Sequence, residues 1–185
     1  PAGAVSVVRG ARAFGVAHML SSVCDPGLEE LAAAAPDALR FYQLYVRSDE
    51  AWVDDHVARA IAHGYAAFCI TVDTAHYSRR ERPLLNRWQP PSRRSETGRH
   101  FQSMLTWETM KAIKKIAGLP FILKGVATAE DAKLAVEHGV DVIYVSNHGG
   151  RQLDHGRGTI DTLPEIAEAA GGKVDIILDG GVTRG

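Results

Sequence analysis

The stretch Val142-Ile143-Tyr144-Val145-Ser146-Asn147-His148-Gly149-Gly150-Arg151-Gln152-Leu153-Asp154 is an apolar run that stops abruptly at a base, two glycines and a cation. With Val140, its first residues put β-branched and aromatic side chains at consecutive positions, the pattern of a parallel strand buried on both faces. His148 therefore stands where that strand leaves the core. Ligands of α/β proteins bind at the carboxyl ends of parallel strands, so a histidine there is placed to take a proton. Three residues on, Arg151 offers a planar fork of donors to an anion such as a carboxylate. Gly149 and Gly150 permit a sharp turn and the close approach of a flat ligand. Each of these residues alone reads as ordinary loop surface. Their combination points to a site.

Outward from this stretch, strand and helix alternate. Val7, Val8, Ala11 and Phe14 predict a helix over Ala4–Phe14, with Gly15 as its cap. Residues 16–20 read as a strand with Ser21 and Ser22 at its tip. A helix carrying Leu28, Leu31, Ala32 and Ala35 follows, opened by Pro26 and closed by Pro36. Residues 41–46 form a second strand, with Gln43 and Tyr45 on one side of it. Ser48 or Asp49 caps a helix with an apolar stripe of Val53, Val57, Ala60 and Ile61, ending at Gly64. A third strand spans 68–73. Thr106 starts a helix with Trp107, Met110, Ile113 and Ala117 on one side, and the strand 121–125 contains Lys124. Thr128 caps the next helix, ended by Gly139. A helix at 162–170 and a strand at 176–179 lead into Gly180-Gly181. The stretch 76–103 reads as irregular and lid-like, with seven arginines against Glu81 and Glu96. Most of those arginines belong to a solvated loop, but Arg79 and Arg80 lie just beyond a strand end.

Repeated βα units imply a parallel sheet with its site along one rim. The strand ends carry Ser22, Gln43 with Tyr45, Thr71 with Asp73, Lys124, Ser146 with His148, and Asp179. Groups spread over six strands converge only if the sheet curls, and no G-x-G-x-x-G turn follows the first strand. The expected fold is a (β/α)8 TIM barrel, incomplete, with about six of eight βα units in one domain over residues 1–185.

Composition narrows the function. A net charge of −1, with 45% hydrophobic and 23% charged residues, gives no global attraction to nucleic acid or to an anionic membrane. No run approaches the roughly 18 apolar residues of a membrane helix. Cys24 and Cys69 are far apart, which fits a reducing, cytoplasmic setting, and both read as small buried apolar residues. The strand ends hold too few carboxylates for a metal centre, and no nucleophile elbow is present. A base, carboxylate-binding arginines, a lysine and neutral hydrogen-bonding groups on one rim suit proton abstraction beside a carboxylate. In such a site Lys124 stabilises developing negative charge. Gly180, Gly181 and Arg184 form a candidate phosphate cradle.

The sequence resembles the FMN-dependent 2-hydroxy-acid oxidases and dehydrogenases, the family of glycolate oxidase, lactate oxidase and mandelate dehydrogenase. The likeness runs from about residue 11 to 185, through Leu20-Ser21-Ser22, Phe41-Tyr42-Gln43-Leu44-Tyr45, Thr71-Val72-Asp73-Thr74, Arg79-Arg80, Leu123-Lys124-Gly125, the stretch from Ser146 to Asp154, and Asp179-Gly180-Gly181. The resemblance implies FMN as cofactor, His148 as catalytic base and Asp73 as the carboxylate that orients it. Arg80 and Arg151 would bind the substrate carboxylate and Tyr45 the substrate near its hydroxyl. Lys124 would lie beside the flavin ring, with Ser22, Gln43 and Thr71 at the ring edges. Ser146 and Asp179 would hold the ribityl chain and Gly181 the phosphate. The implied reaction turns a small L-2-hydroxy acid into the 2-oxo acid, with oxygen or another acceptor taking the electrons, in a homotetramer. Thr183 stands where the family carries a basic residue, with Arg184 beside it, and the stretch after Arg80 is shorter than in glycolate oxidase. The family's first and eighth strands are expected outside residues 1–185, which suggests a fragment. Two other readings are a non-redox FMN- or phosphate-binding barrel and a non-catalytic fragment that cannot retain FMN.

Overall fold

A computed structural model describes residues 3–76, 80–88, 97–153 and 155–184. Six strands, β1 (His18–Ser21), β2 (Arg40–Leu44), β3 (Ala67–Thr71), β4 (Phe121–Val126), β5 (Val142–Val145) and β6 (Asp175–Leu178), form one all-parallel sheet in sequential order. The helices are α1 (Ala4–Phe14), α2 (Leu28–Ala34), α3 (Glu50–Ala62), α4 (Glu81–Leu85), α5 (Thr97–Ser103), α6 (Trp107–Ala117), α7 (Ala129–Glu137) and α8 (Thr159–Ala170).

Strand parity divides the core in two. Leu20, Tyr42, Leu44, Phe68, Ile70, Phe121, Leu123, Ile143 and Val145 pack with the apolar sides of the helices. Ala67, Cys69 and Ile122, with Met19, Phe41, Val142, Tyr144 and Ile177 against them, fill the other face. Register pairs keep the second set together, as in Phe41 with Ala67, Cys69 with Ile122, and Tyr144 with Ile177. The sheet is strongly curled. Three spacings of about 4.8 Å would hold β2 and β5 roughly 14 Å apart in a flat sheet, yet Tyr45, just past β2, contacts His148, just past β5, at 2.9 Å. The described residues thus form an incomplete (β/α)8 barrel with six strands.

Side-chain capping explains the starts of α3, α6 and α7. Asp49 accepts from the Trp52 amide at 3.0 Å, Thr106 from Thr109 at 3.2 Å and Thr128 from Asp131 at 3.1 Å. Other boundaries differ from expectation. The first strand begins at His18, and α2 begins at Leu28 behind Gly27, two residues after Pro26. Helix α8 starts at Thr159, three residues early, because Gly158 takes the extended cap conformation without any side-chain signal. Only Ala4 and Val8 are buried in α1, with Phe14 89% exposed, and Ile61 of α3 also faces solvent. The stretch 76–103 is not wholly irregular, since α4 and α5 lie in it. Cys24 is exposed, contrary to expectation, whereas Cys69 is buried and its burial pushes the thiol up to about 12.

At the amino end of β2, Arg40 is 4% exposed and its guanidinium donates to the carbonyls of Ala35, Ala38 at 3.0 Å and His63 at 3.1 Å. One cation thereby satisfies chain ends of both α2 and α3, where helix carbonyls lack partners. Arg40→Met is expected to cost about 3 kcal/mol or more, because it strands several buried acceptors of a charged donor. Denaturant unfolding checks this, and a loss under about 1 kcal/mol would contradict it.

Acid should weaken the fold from another direction. Burial lowers the pKa of both His18 and His56 below the ordinary value of 6.5. The neutral His56 ring lies against Trp52 at 3.9 Å between centroids, and its Nδ1 bonds the Trp52 carbonyl at 2.8 Å. With folded values depressed, the unfolded chain binds protons first. The stabilisation is therefore present above about pH 6.5 and is lost as pH falls through the folded values. Melting temperatures followed from neutral pH to about pH 5 should fall, and His56→Gln should flatten the decline.

Candidate active site

The carboxyl ends of the strands carry two side-chain chains. In the first, the Tyr45 hydroxyl lies 2.9 Å from Nε2 of His148, whose Nδ1 lies 2.6 Å from Oδ2 of Asp73. The His148 and Asp73 side chains are only 18% and 12% exposed. A carboxylate only accepts, so Nδ1 carries a proton, and in the neutral imidazole Nε2 presents its lone pair to the Tyr45 hydroxyl. Burial, then the charge of Asp73, pushes the Tyr45 phenol up to about 12, with Arg80 opposing the rise. Tyr45 is therefore a neutral donor across the physiological range, and Arg80 lies within electrostatic reach of it.

In the second chain, Nζ of Lys124 donates to Oγ of Ser146 at 2.9 Å, and that hydroxyl donates to Oδ2 of Asp179 at 2.8 Å. Lys124 also lies 3.6 Å from the same carboxylate oxygen and 5.2 Å from the centroid of the Tyr144 ring. Next to these groups, Gln43 donates to the Thr71 hydroxyl at 2.6 Å. Ser22 accepts from the Tyr45 amide at 3.1 Å, pinning the backbone of the tyrosine. Gln43, Thr71 and Ser146 are buried polar groups at strand ends, as expected where a parallel sheet presents a ligand site.

Local backbone geometry explains how His148 is aimed. It adopts φ 54°, a left-handed conformation costing a non-glycine residue roughly 1–2 kcal/mol. Asn147 holds the short 3-10 turn His148–Gly150: its Oδ1 accepts from the Gly150 amide at 3.1 Å and its Nδ2 donates to the Arg157 carbonyl at 2.9 Å. The Ser146 hydroxyl also accepts from the His148 amide at 3.3 Å, which couples the two chains.

The structure thus joins Tyr45, His148 and Asp73, and separately Lys124, Ser146 and Asp179. It does not draw Arg151, Gly180, Gly181 or Arg184 into either group; all four are exposed. Arg79 and Asp154 lie outside the described residues. Asn147, Gly125 and Thr159 were not singled out from sequence. Thr159 donates its hydroxyl to the Asp179 carbonyl, and it sits where a Gly180 side chain would be. A Thr following a glycine at the foot of a helix offers no signal of such a contact. Among the described residues no cluster of His, Cys, Asp or Glu could hold a metal ion, and no helix is long and apolar enough to cross a membrane.

The curled parallel β/α sheet thus carries, on one rim, a histidine held by a carboxylate and a half-buried lysine. Residues 1–185 match the FMN-dependent dehydrogenase family, and the chain belongs to it. It is 38% identical to 2-hydroxyacid oxidase 1 of Mus musculus, covering 99% of this chain and 56% of that protein. It is 39% identical to glycolate oxidase 5 of Oryza sativa subsp. japonica, covering 100% of this chain and 56% of the relative. A mandelate oxidase variant solved with the C4a-OH-FMN adduct superposes with a TM-score of 0.87 at 37% identity, over 98% of this chain and 54% of that one. The chain spans about half the length of the curated relatives it matches.

Proposed function

We propose that the site oxidises a small L-2-hydroxy acid to its 2-oxo acid with FMN as electron acceptor. The observation that carries this reading is the Tyr45–His148–Asp73 chain on the same rim as Lys124, Ser146 and Asp179. The rim suits FMN. Lys124 and Gln43 supply donors for the carbonyl edge of a flavin. Asp179 Oδ1 is buried without a partner among the described residues, an acceptor suited to a ribityl hydroxyl. Gly180 and Gly181, at φ 119° and 84°, keep the backbone beside it free of side chains near a phosphate. Ser22, Thr71 and Ser146 complete the polar lining, with Arg184 within the same exposed segment.

In this reading Arg80 and Arg151 hold the substrate carboxylate and the neutral Tyr45 donates to the substrate oxygen. Nε2 of His148 then takes one of the two protons lost by the substrate, while Asp73 stabilises the imidazolium that results, and the second would leave with the electron pair to the flavin. Bound FMN supplies a two-electron acceptor. Lys124, half-buried on the same rim, would stabilise the negative charge left by reduction. The electrons leave to oxygen or another small acceptor, as the oxidase names of the relatives suggest. Glycolate and L-lactate, the latter also the substrate of an L-lactate dehydrogenase, are the first candidates. The repeated βα pattern further supports one domain over 1–185, the family resemblance a homotetramer, and the two widely spaced cysteines a cytoplasmic setting.

A second reading has a specific observation behind it. Among the described residues β1 and β6 are each paired on one side only, and every β6 residue is at least partly exposed. The isolated chain would then be a barrel segment unable to retain FMN. One experiment separates the readings: the visible spectrum of the chain after mixing with FMN and desalting, recorded without oxygen before and after a panel of 2-hydroxy acids. A retained band bleached by one acid is the expected result. A retained band that no acid bleaches would replace the redox reading with a non-redox FMN barrel. No retained band would favour the non-catalytic segment.

A further inference from the structure

We infer that Gly125 is a positioning residue of the site: the missing side chain there is what allows the Asp73 carboxylate to reach Nδ1 of His148. The inference deepens the proposed function and rests on that reading for its catalytic meaning, but its geometry stands alone.

Two features of β4 converge at this glycine. First, the pairing of β4 with β5 shifts between Lys124 and Val126: Lys124 faces Tyr144, and Val126 faces Val145. Residues two apart on a regular strand share a face. The extra residue breaks that rule, so Lys124 points with Tyr144 toward the inner face while Val126, 1% exposed, joins the helix-facing core with Val145. Second, Gly125 has φ 108°, and a Cβ built on it would lie 2.7 Å from Cβ and Cγ of Asp73 and 2.8 Å from Oδ1. Carbon atoms pack at about 3.5–4.0 Å, so any side chain must displace Asp73 by the better part of an ångström. The atoms met are the stem of a short side chain, which cannot swing aside. Asp73 has little else to hold it: Oδ2 bonds His148, and Oδ1 is buried without a partner among the described residues. Its 2.6 Å bond is therefore the contact that gives way.

Gly139 supplies the comparison, because it too is left-handed, at φ 75°, yet an added Cβ there meets nothing within 4 Å. Gly125→Ala and Gly139→Ala should both lose some stability to backbone strain, but only the first should disturb Asp73. The test is proton NMR of the chain without FMN, following the downfield Nδ1–H resonance of the His148–Asp73 bond, assigned by its loss in His148→Gln. It should vanish in Gly125→Ala and persist unchanged in Gly139→Ala. Its persistence in a folded Gly125→Ala chain would overturn the inference. Should Gly125→Ala fail to fold, the Asp73→Gly background decides, since it removes all three atoms that the new methyl meets. There Gly125→Ala should lower the melting temperature no more than Gly139→Ala does. Unfolding of that double variant would show that the backbone alone demands the glycine and would equally overturn the inference. A wild-type chain that shows the resonance but passes no electrons to FMN would sink the redox reading while leaving this role of Gly125 intact.

Discussion

His148→Ala should leave FMN retention intact and lower the rate at which a 2-hydroxy acid reduces it by about 10²- to 10⁴-fold, the usual contribution of a positioned base. The retention half of this expectation follows from the separation of the two side-chain chains. His148 bonds Tyr45 and Asp73 through its ring, whereas Lys124, Ser146 and Asp179 bond one another and meet His148 only through its backbone amide. Alanine keeps that amide. It also relieves nothing at φ 54°, so the turn must still be pinned by Asn147. Neither neighbour can substitute as base. Tyr45 holds its proton up to about pH 12, and Asp73 would lie beyond reach of the substrate once the imidazole is removed. Anaerobic stopped-flow reduction measures the effect, with the desalted absorption band as the retention control. Reduction at the parental rate would end the assignment of His148 as base.

Much of this arrangement is legible in the sequence alone, for a physical reason. Strand parity and strand termination are local properties, so Gln43, Thr71, Lys124, Ser146 and Asp179 could each be put at a strand end from neighbouring residues alone. Thr106 and Thr128 announced their helices through the hydroxyl that each cap requires. Other features depend on partners distant in the chain. That Gly125 makes room for Asp73 is invisible without the pairing that sets β3 and β4 side by side. Asn147 sits inside the most distinctive stretch of the sequence, but its bond to the Arg157 carbonyl closes a loop whose shape no periodicity encodes. Helices α4 and α5 escape a reading of the sequence because each spans only five or seven residues, with Pro83 inside α4. Their pattern is too brief to separate from a solvated loop.

Asp73→Asn should prove nearly as damaging as loss of the histidine, with a fall in substrate-driven reduction on the order of 10³- to 10⁴-fold, the scale seen when an orienting carboxylate becomes an amide. Asparagine fills the same space, so the contact with Gly125 and the fold persist. What changes is which nitrogen holds the proton. A carboxylate can only accept from Nδ1, which leaves the Nε2 lone pair to the reaction. An asparagine that turns its amide nitrogen toward Nδ1 donates to it, so the proton moves to Nε2 and the base is lost without removal of a single ring atom. An asparagine that turns its oxygen keeps the tautomer but no longer compensates the imidazolium formed when His148 takes the proton. Either orientation raises the barrier. Because Asp73 also contributes to the upward shift of the Tyr45 phenol, the substitution should lower the pH at which that tyrosine ionises. Ultraviolet titration of Tyr45, identified by its loss in Tyr45→Phe, gives an independent reading on the same variant. A reduction rate within about tenfold of the parent, with an unmoved tyrosine, would mean that Asp73 supports the loop rather than the proton transfer.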